Sequence, residues 1–335
     1  MTDKAEAGRS MGGEEWPAIS RRRMLQGMMT AGAGAATGLS LTGCGSTVGA
    51  GGSRETGRLR GRINHSLVIW PFQLFGEQWD LDTACRVAVE TGCSSVELVG
   101  PDGWETLARH GLDCAISPNG MPGEPYVKGL NNLDHHAEVI GRTRAVIEAA
   151  AEAPVKVPSV IAFTGFKYRD AMDPASPEIP LEEATRNTVA GLKELARLGE
   201  RHGVDIYVEH LNSRVPGDVF RGHPGYQGDD IDYCADLMRQ VGSPRVKLLF
   251  DIYHVQVMNG DIIGRIRAYG TDLIGHIHTA GVPGRGELDG TQELQYGPVM
   301  QALLDVGYTG YVGHEFIPTR DPRAGLREAI AVCDV

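Results

Sequence analysis

Positive charge, aromatic residues and cysteine are all scarce in this 335-residue chain. Lys and Arg total 32 against 43 Asp and Glu, a formal net charge of −11. A nucleic-acid groove would show a basic patch, so that class of partner is not expected. Aromatics make up 6% while glycine reaches 45 residues, an ordinary balance for an α/β enzyme. The six cysteines include no CxxC pair, which excludes a zinc-finger pattern. Setting Cys44 aside leaves Cys85, Cys93, Cys114, Cys234 and Cys333. Their odd number leaves at least one thiol unpaired, and buried apolar thiols are the expectation for most of them. No repeat of roughly 20–50 residues is visible beyond an alternation of strand and helix patterns.

The first sixty residues do not read as folded structure. "SRRRMLQ" (20–26) precedes a Gly-, Ala- and Met-rich apolar stretch that ends in "LTGC" (41–44). A charged segment, a weakly apolar run and a small-residue cleavage site make an export signal. The arginines resemble a twin-arginine signal, and "LTGC" resembles a lipobox with Cys44 as the lipidated residue. A plain transmembrane anchor is the alternative, disfavoured because the run is rich in Gly and Ala. Residues 1–44 are thus read as signal, 45–62 as flexible tether and 63–335 as catalytic domain. The implied location is the bacterial cell envelope, with membrane contact only through the N-terminal lipid.

From Ile63 onward, eight short β-rich runs alternate with helix patterns: 63–70, 94–100, 113–120, 159–165, 205–212, 246–254, 273–281 and 310–318. That alternation implies βαβ units and parallel strands. Eight units in this length match an α/β fold of the (β/α)8 TIM-barrel type, typically about 250 residues. Connections into strands are short and glycine-marked, whereas several leading out are long. In such a barrel the strand-to-helix loops build the active face.

Polar residues follow apolar runs where a barrel places chemistry. The fifth run ends with Glu209 and Asn212, the sixth with Asp251 and His254, the seventh with His278, and the eighth carries Glu315. Buried carboxylates are costly unless paired or bound to a cation. Three of them with one imidazole at a single mouth predict a divalent metal site: Glu209, Asp251, His278 and Glu315. Three oxygens and one nitrogen suit Mn²⁺, Mg²⁺ or Co²⁺, with Zn²⁺ a further candidate. His276 shares the inward face of its strand one layer deeper and is read as a hydrogen-bonded core histidine. Glu97 is read either as lining the pocket or as an ion-pair member, and Trp70 either as a stacking platform or as a core or rim residue. Arg285, in a Gly/Pro loop, is either a clamp for substrate oxygens or a solvated arginine.

The stretches "VELVGP", "VEHLNSR", "HPGY" (223–226), "LLFDIYHVQVMNGD", "GHIHTAGVPGRGELDGTQELQY" and "GHEFIP" carry a family resemblance. From about Ile63 to Pro318 the chain resembles the xylose isomerase-like TIM barrels, most closely the hydroxypyruvate isomerase family and next the ketose 3-epimerases. The resemblance implies that Glu209 and Glu315 are both metal ligands and the acid/base pair. It leaves Asp251 and His278 as the remaining ligands, with His254 and Arg285 holding substrate oxygens. Hydroxypyruvate isomerases commonly carry Gln where this chain has His278, whereas the epimerases carry His; the substrate therefore stays open between a sugar and a hydroxy-keto acid.

Such a site suits proton transfer beside a carbonyl, giving isomerisation or epimerisation through an enediolate. Two alternatives share the scaffold: a lyase or hydrolase of 3-keto-glycosides, and a sugar-binding lipoprotein without turnover. Whether the barrel forms a homodimer is left open.

Overall fold

The computed structural model describes residues 59–335. The signal, lipobox and Cys44 readings fall outside those residues, as does most of the tether. Residues 59–62 of the tether are held: Arg60 N donates to Asp334 Oδ2 (2.8 Å) and Arg62 Nε to the Val335 carbonyl (2.7 Å).

Seven strands are formed among the described residues: β1 (Asn64–Val68), β2 (Ser95–Glu97), β3 (Ser159–Ala162), β4 (Asp205–Glu209), β5 (Val246–Asp251), β6 (Ile274–Thr279) and β7 (Tyr311–His314). All pairings are parallel, in the order β2-β1-β7-β6-β5-β4-β3. Residues 113–117 join the two ends of this sheet. Leu98 N donates to the Ile116 carbonyl (2.8 Å) on one side, and Ser117 N to the Ser159 carbonyl (2.9 Å) on the other. The ring therefore closes into a TIM-barrel-like α/β fold.

The expected strand at 113–120 is thus reduced to isolated bridges at Asp113 and Ser117. The reason is local. Ala115 N donates to the Ser95 hydroxyl (2.8 Å) instead of a neighbouring carbonyl. Pro118 then offers no N–H to continue a ladder.

The helices are α1 (Ile69–Leu74), α2 (Leu81–Thr91), α3 (Trp104–His110), α4 (Leu133–Ala151), α5 (Leu181–His202), α6 (Ile231–Val241), α7 (Ile252–Met258), α8 (Ile262–Leu273), α9 (Tyr296–Asp305) and α10 (Pro322–Cys333). Their starts follow side-chain chemistry: Asp80 accepts from Thr83 N, Asp230 from Tyr233 N, and Asp321 from Arg323 N and Ala324 N. In α5 the buried Ala184, Thr188, Leu192, Leu195 and Leu198 recur at helical spacing, giving the face that packs inward. A large apolar cluster fills the space between sheet and helices. A smaller one, including Ile116, Ile161, Phe163, Leu211 and Leu249, sits on the cavity side. The five cysteines of this region are buried and unpaired.

Candidate metal centre and pocket

Parallel strands closed into a ring bring their C-terminal ends to one mouth, and the predicted ligands arrive there from consecutive strands. Glu209 ends β4, Asp251 ends β5, His278 lies in β6 and Glu315 follows β7 directly. One donor atom from each lies within 4.8 Å of all the others. All four residues are buried, none more than 5% exposed. His278 Nδ1 faces Glu315 Oε2 at 2.9 Å and Glu209 Oε1 at 3.6 Å. Glu209 Oε1 and His278 Nδ1 have no hydrogen-bond partner. Unpartnered buried polar atoms in a set of three carboxylates and one imidazole fit a divalent cation.

Electrostatics describe the same need for positive charge. Burial, reinforced by the Glu315 charge, raises Glu209 above the usual carboxylate range. Burial likewise lifts Asp251 to about 7, against the pull of Arg285. Burial would raise Glu315 too, but Arg285 and His278 beside it hold its carboxyl well below the usual range. His278 is driven well above the ordinary histidine value by Glu315, Glu209 and Glu97, despite its burial.

Arg285 supplies counter-charge from the loop after β6. Its Nη2 donates to Asp251 Oδ2 (3.1 Å) and to Glu315 Oε2 (2.5 Å), and its Nη1 to the Phe220 carbonyl (2.9 Å). The side chain is buried beneath Trp70 and Tyr253, with the guanidinium 5.3 and 5.5 Å from their ring centres. Its backbone is left-handed, φ 58, which costs an L residue about 1 kcal/mol. Of the two sequence readings, the buried position excludes the solvated arginine; the guanidinium is bound to Asp251, Glu315 and the Phe220 carbonyl.

Trp70 also reaches the centre. β1 ends at Val68, two residues sooner than the 63–70 run suggested, and Trp70 stands in the first turn of α1, where Pro71 is tolerated. Its indole Nε1 donates to Glu315 Oε1 at 2.6 Å and its ring stacks on Phe220.

His254 Nδ1 accepts from the Asn212 backbone N–H (3.0 Å) and lies 2.7 Å from the Asn212 amide nitrogen. Burial holds the ring neutral, well below the usual histidine value. With Nδ1 an acceptor, the ring proton sits on Nε2, which is 3.6 Å from Asp251 Oδ2 and otherwise unpartnered. Asn212, predicted as a substrate contact, does not line the pocket; its amide is spent on His254 and the Arg221 carbonyl (2.7 Å), so it orients the imidazole.

Of the two readings of Glu97, a pocket contact or an ion-pair member, the structure gives the ion pair. It is 0% exposed and does not line the pocket. It lies behind the centre, paired with His276 Nε2 at 2.6 Å and 3.8 Å from His278 Nε2. Burial opposes its charge, but the two histidines hold it low, at about 2. His276 therefore occupies the deep interior position expected of it, with Glu97 as its partner.

The pocket above the cluster encloses about 330 Å³. Glu209, Glu315 and Arg285 form its polar side, with Trp70 and Phe220 at one wall and His223 and Tyr126 at another. His223 was quoted within "HPGY" without a role. Its ring packs edge-on against Tyr126 (4.3 Å) and is held neutral by burial, down to about 3. Tyr226 of the same motif donates to the Glu209 carbonyl (2.9 Å) and accepts from Thr164 N (3.0 Å), fixing the end of β4.

A human protein provisionally named hydroxypyruvate isomerase is 29% identical over 260 residues, covering 76% of this chain and 90% of the relative. Hydroxypyruvate isomerase of Escherichia coli is 35% identical over 146 residues, 44% of this chain and 53% of the relative. Among solved structures, a 3-keto-D-glucoside 4-epimerase from E. coli superposes with TM-score 0.62 at 19% identity, covering 81% of this chain and 97% of the other. A D-psicose 3-epimerase from Clostridium cellulolyticum gives TM-score 0.62 at 18% identity with the same coverage, 81% and 97%. These structural likenesses establish the fold. A family model described as xylose isomerase-like TIM barrel matches residues 85–334, and the chain belongs to that family.

Proposed function

We propose that the protein is a metal-dependent isomerase or epimerase of a hydroxy-keto compound, of the hydroxypyruvate isomerase kind. The single observation carrying this is the buried convergence of Glu209, Asp251, His278 and Glu315 within 4.8 Å beside a pocket. Relatives named as hydroxypyruvate isomerases support the same reading.

A divalent ion held by these four residues would acidify the C–H beside a carbonyl and offset the enediolate charge. Mn²⁺ or Mg²⁺ fits the oxygen-rich donor set best, and Co²⁺ or Zn²⁺ is compatible with it. Glu209 bears the unpartnered carboxylate oxygen at the pocket floor and takes the proton. Glu315, fixed by the Trp70 indole and held ionised by Arg285 and His278, is the second carboxylate of the acid/base pair. Arg285, which lines the pocket, holds a substrate oxygen through its guanidinium, while the neutral His254 does not line it and turns its Nε2–H toward Asp251 Oδ2. If both glutamates serve adjacent carbons the outcome is isomerisation; from opposite faces of one carbon it is epimerisation.

The test uses the full chain loaded with Mn²⁺ and a panel of hydroxypyruvate and small ketoses, followed by NMR for isomers of equal mass. Glu315→Gln should reduce turnover at least a hundredfold. Unchanged turnover would remove Glu315 from the chemistry, and two product fragments would favour the 3-keto-glycoside lyase instead. The N-terminal motifs alone support the further proposal of an exported lipoprotein. Loss of membrane association in Cys44→Ala is the expected result there.

A further inference from the structure

The pocket has two chemically unlike ends. At the floor sit Glu209, Glu315 and Arg285, and the remaining wall is built from Leu98, Ile161, Phe163, Leu211, Val219 and Phe220. Apart from the floor trio, the polar side chains among the described lining residues are Glu124, Tyr126 and His223. Two of these are already committed to each other, because the Tyr126 hydroxyl donates to Glu124 Oε2 at 2.6 Å. His223 is neutral, turned edge-on to Tyr126, and its Nδ1 is unpartnered, so it offers one imidazole to a substrate hydroxyl. A polyol chain running up this wall would meet one imidazole and one carboxylate and leave its remaining hydroxyls without partners, at a cost per group that a few van der Waals contacts do not offset.

Size points the same way. The cavity of about 330 Å³ exceeds what a three-carbon keto acid fills. Such an acid has about seven non-hydrogen atoms, and at water's share of ~30 Å³ each, an upper bound, it would occupy roughly 200 Å³. Backbone strain adds a third, independent sign. Leu98 stands on the wall with φ 59, a conformation glycine adopts freely and a branched L residue adopts at a cost. The chain retains a large apolar side chain there all the same.

We propose that the substrate joins a hydroxy-ketone head, held at the metal floor, to an apolar ring-bearing group that fills the upper wall. This rests on the enolising chemistry proposed above and adds the class of substrate. The apolar side chains of Leu98, Ile161, Phe163, Leu211 and Val219 on this wall suit a flat ring, which recovers burial without needing hydrogen bonds.

Two probes with the same head separate the possibilities: dihydroxyacetone, and benzyl hydroxymethyl ketone, in which a phenyl group replaces one hydroxyl. The full chain is loaded with diamagnetic Mg²⁺ in D₂O, and loss of the hydroxymethyl C–H signal is followed by NMR. In each exchange event the C–H proton passes to the Glu209 carboxylate and its electron pair to the carbonyl oxygen. A deuteron then returns to carbon, so no bond is lost overall. The benzyl ketone should exchange with kcat/KM roughly ten- to hundredfold above dihydroxyacetone, the range expected for burying a phenyl group. Val219→Asn, on a partly exposed loop, should narrow that ratio. Equal rates, or faster exchange of dihydroxyacetone, would overturn the apolar-tail proposal while leaving the enolisation intact. If neither probe exchanges, the enolisation reading fails, and calorimetric titration decides the tail separately. Tighter binding of the benzyl ketone supports it, and equal or weaker binding overturns it.

Discussion

Among the described glycines, Gly313 in β7 leaves the least room for a Cβ, and replacing it with alanine is a quantitative test of how the ligand histidine is backed. An added Cβ would lie 2.0 Å from Glu97 Oε1, 2.9 Å from Glu97 Cδ and 2.9 Å from His278 Cδ2. The end of a long side chain ordinarily swings away at little cost. Glu97 has nowhere to go: it is 0% exposed and its other oxygen is paired with His276 at 2.6 Å. Overpacking of this kind costs about 1–3 kcal/mol. Partial loss of a buried ion pair adds to that, since breaking one outright costs about 3–5 kcal/mol. The expected loss is about 2–4 kcal/mol, a fall in Tm of roughly 5–15 °C for a domain of this size. Urea unfolding of the wild type, Gly313→Ala, Glu97→Ala and the double variant measures it. In the Glu97→Ala background only the 2.9 Å approach to His278 Cδ2 remains, so the cost should fall by at least about 1 kcal/mol. A Gly313→Ala penalty within about 0.5 kcal/mol of zero, or the same penalty in both backgrounds, would refute the packing described for Glu97, His276 and His278.

Other outcomes follow from single contacts. Trp70→Phe keeps the ring but removes the donor to Glu315 Oε1, so kcat/KM should fall roughly tenfold with little change in Tm. Tyr226→Phe leaves the Thr164 N–H and the Glu209 carbonyl without their buried partner and should cost about 1–3 kcal/mol by urea titration. His65, stacked on His314 under the helices, is lowered from 6.5 to about 4 by burial. The unfolded chain binds a proton there below pH 6.5 while the folded one does not until about pH 4. Its contribution is therefore complete above pH 6.5 and is lost as pH falls to about 4, in total about 3 kcal/mol. Urea midpoints at pH 7 and 4.5 should differ less in His65→Gln than in the wild type.

The legibility of this site in the sequence has a physical origin. A strand buried on both faces has no use for a carboxylate or imidazole at its end unless something compensates it. For that reason Glu209, Asp251, His278 and Glu315 stood out, and ring closure brings them together. What escaped reading depends on contacts across the barrel or on irregular loops. β2 and β6 are not neighbours in the sheet, so the pairing of Glu97 with His276 exists only through the closed interior. Arg285 lies in a loop without periodicity, and nothing local distinguishes a buried guanidinium bridging Asp251 and Glu315 from a solvated one. Residues 113–120 show the opposite failure. Their apolar pattern is strand-like, but a side-chain acceptor at Ser95 and the missing N–H of Pro118 reduce the ladder to bridges. Trp70 was assigned one element too early, because an apolar run passing from strand to helix carries no mark of the change.

The central claim is one divalent cation gripped by four side chains, and Asp251 isolates it well. Its Oδ1 accepts from Tyr253 N and His254 N at the start of α7, while its Oδ2 faces the cluster. Asp251→Asn can keep the first role and loses the second. Calorimetric titration of the full chain with Mn²⁺ should give one ion per chain, with affinity at least tenfold weaker in Asp251→Asn. A wild-type chain that binds no such ion, or a variant that binds it as tightly, would contradict the account.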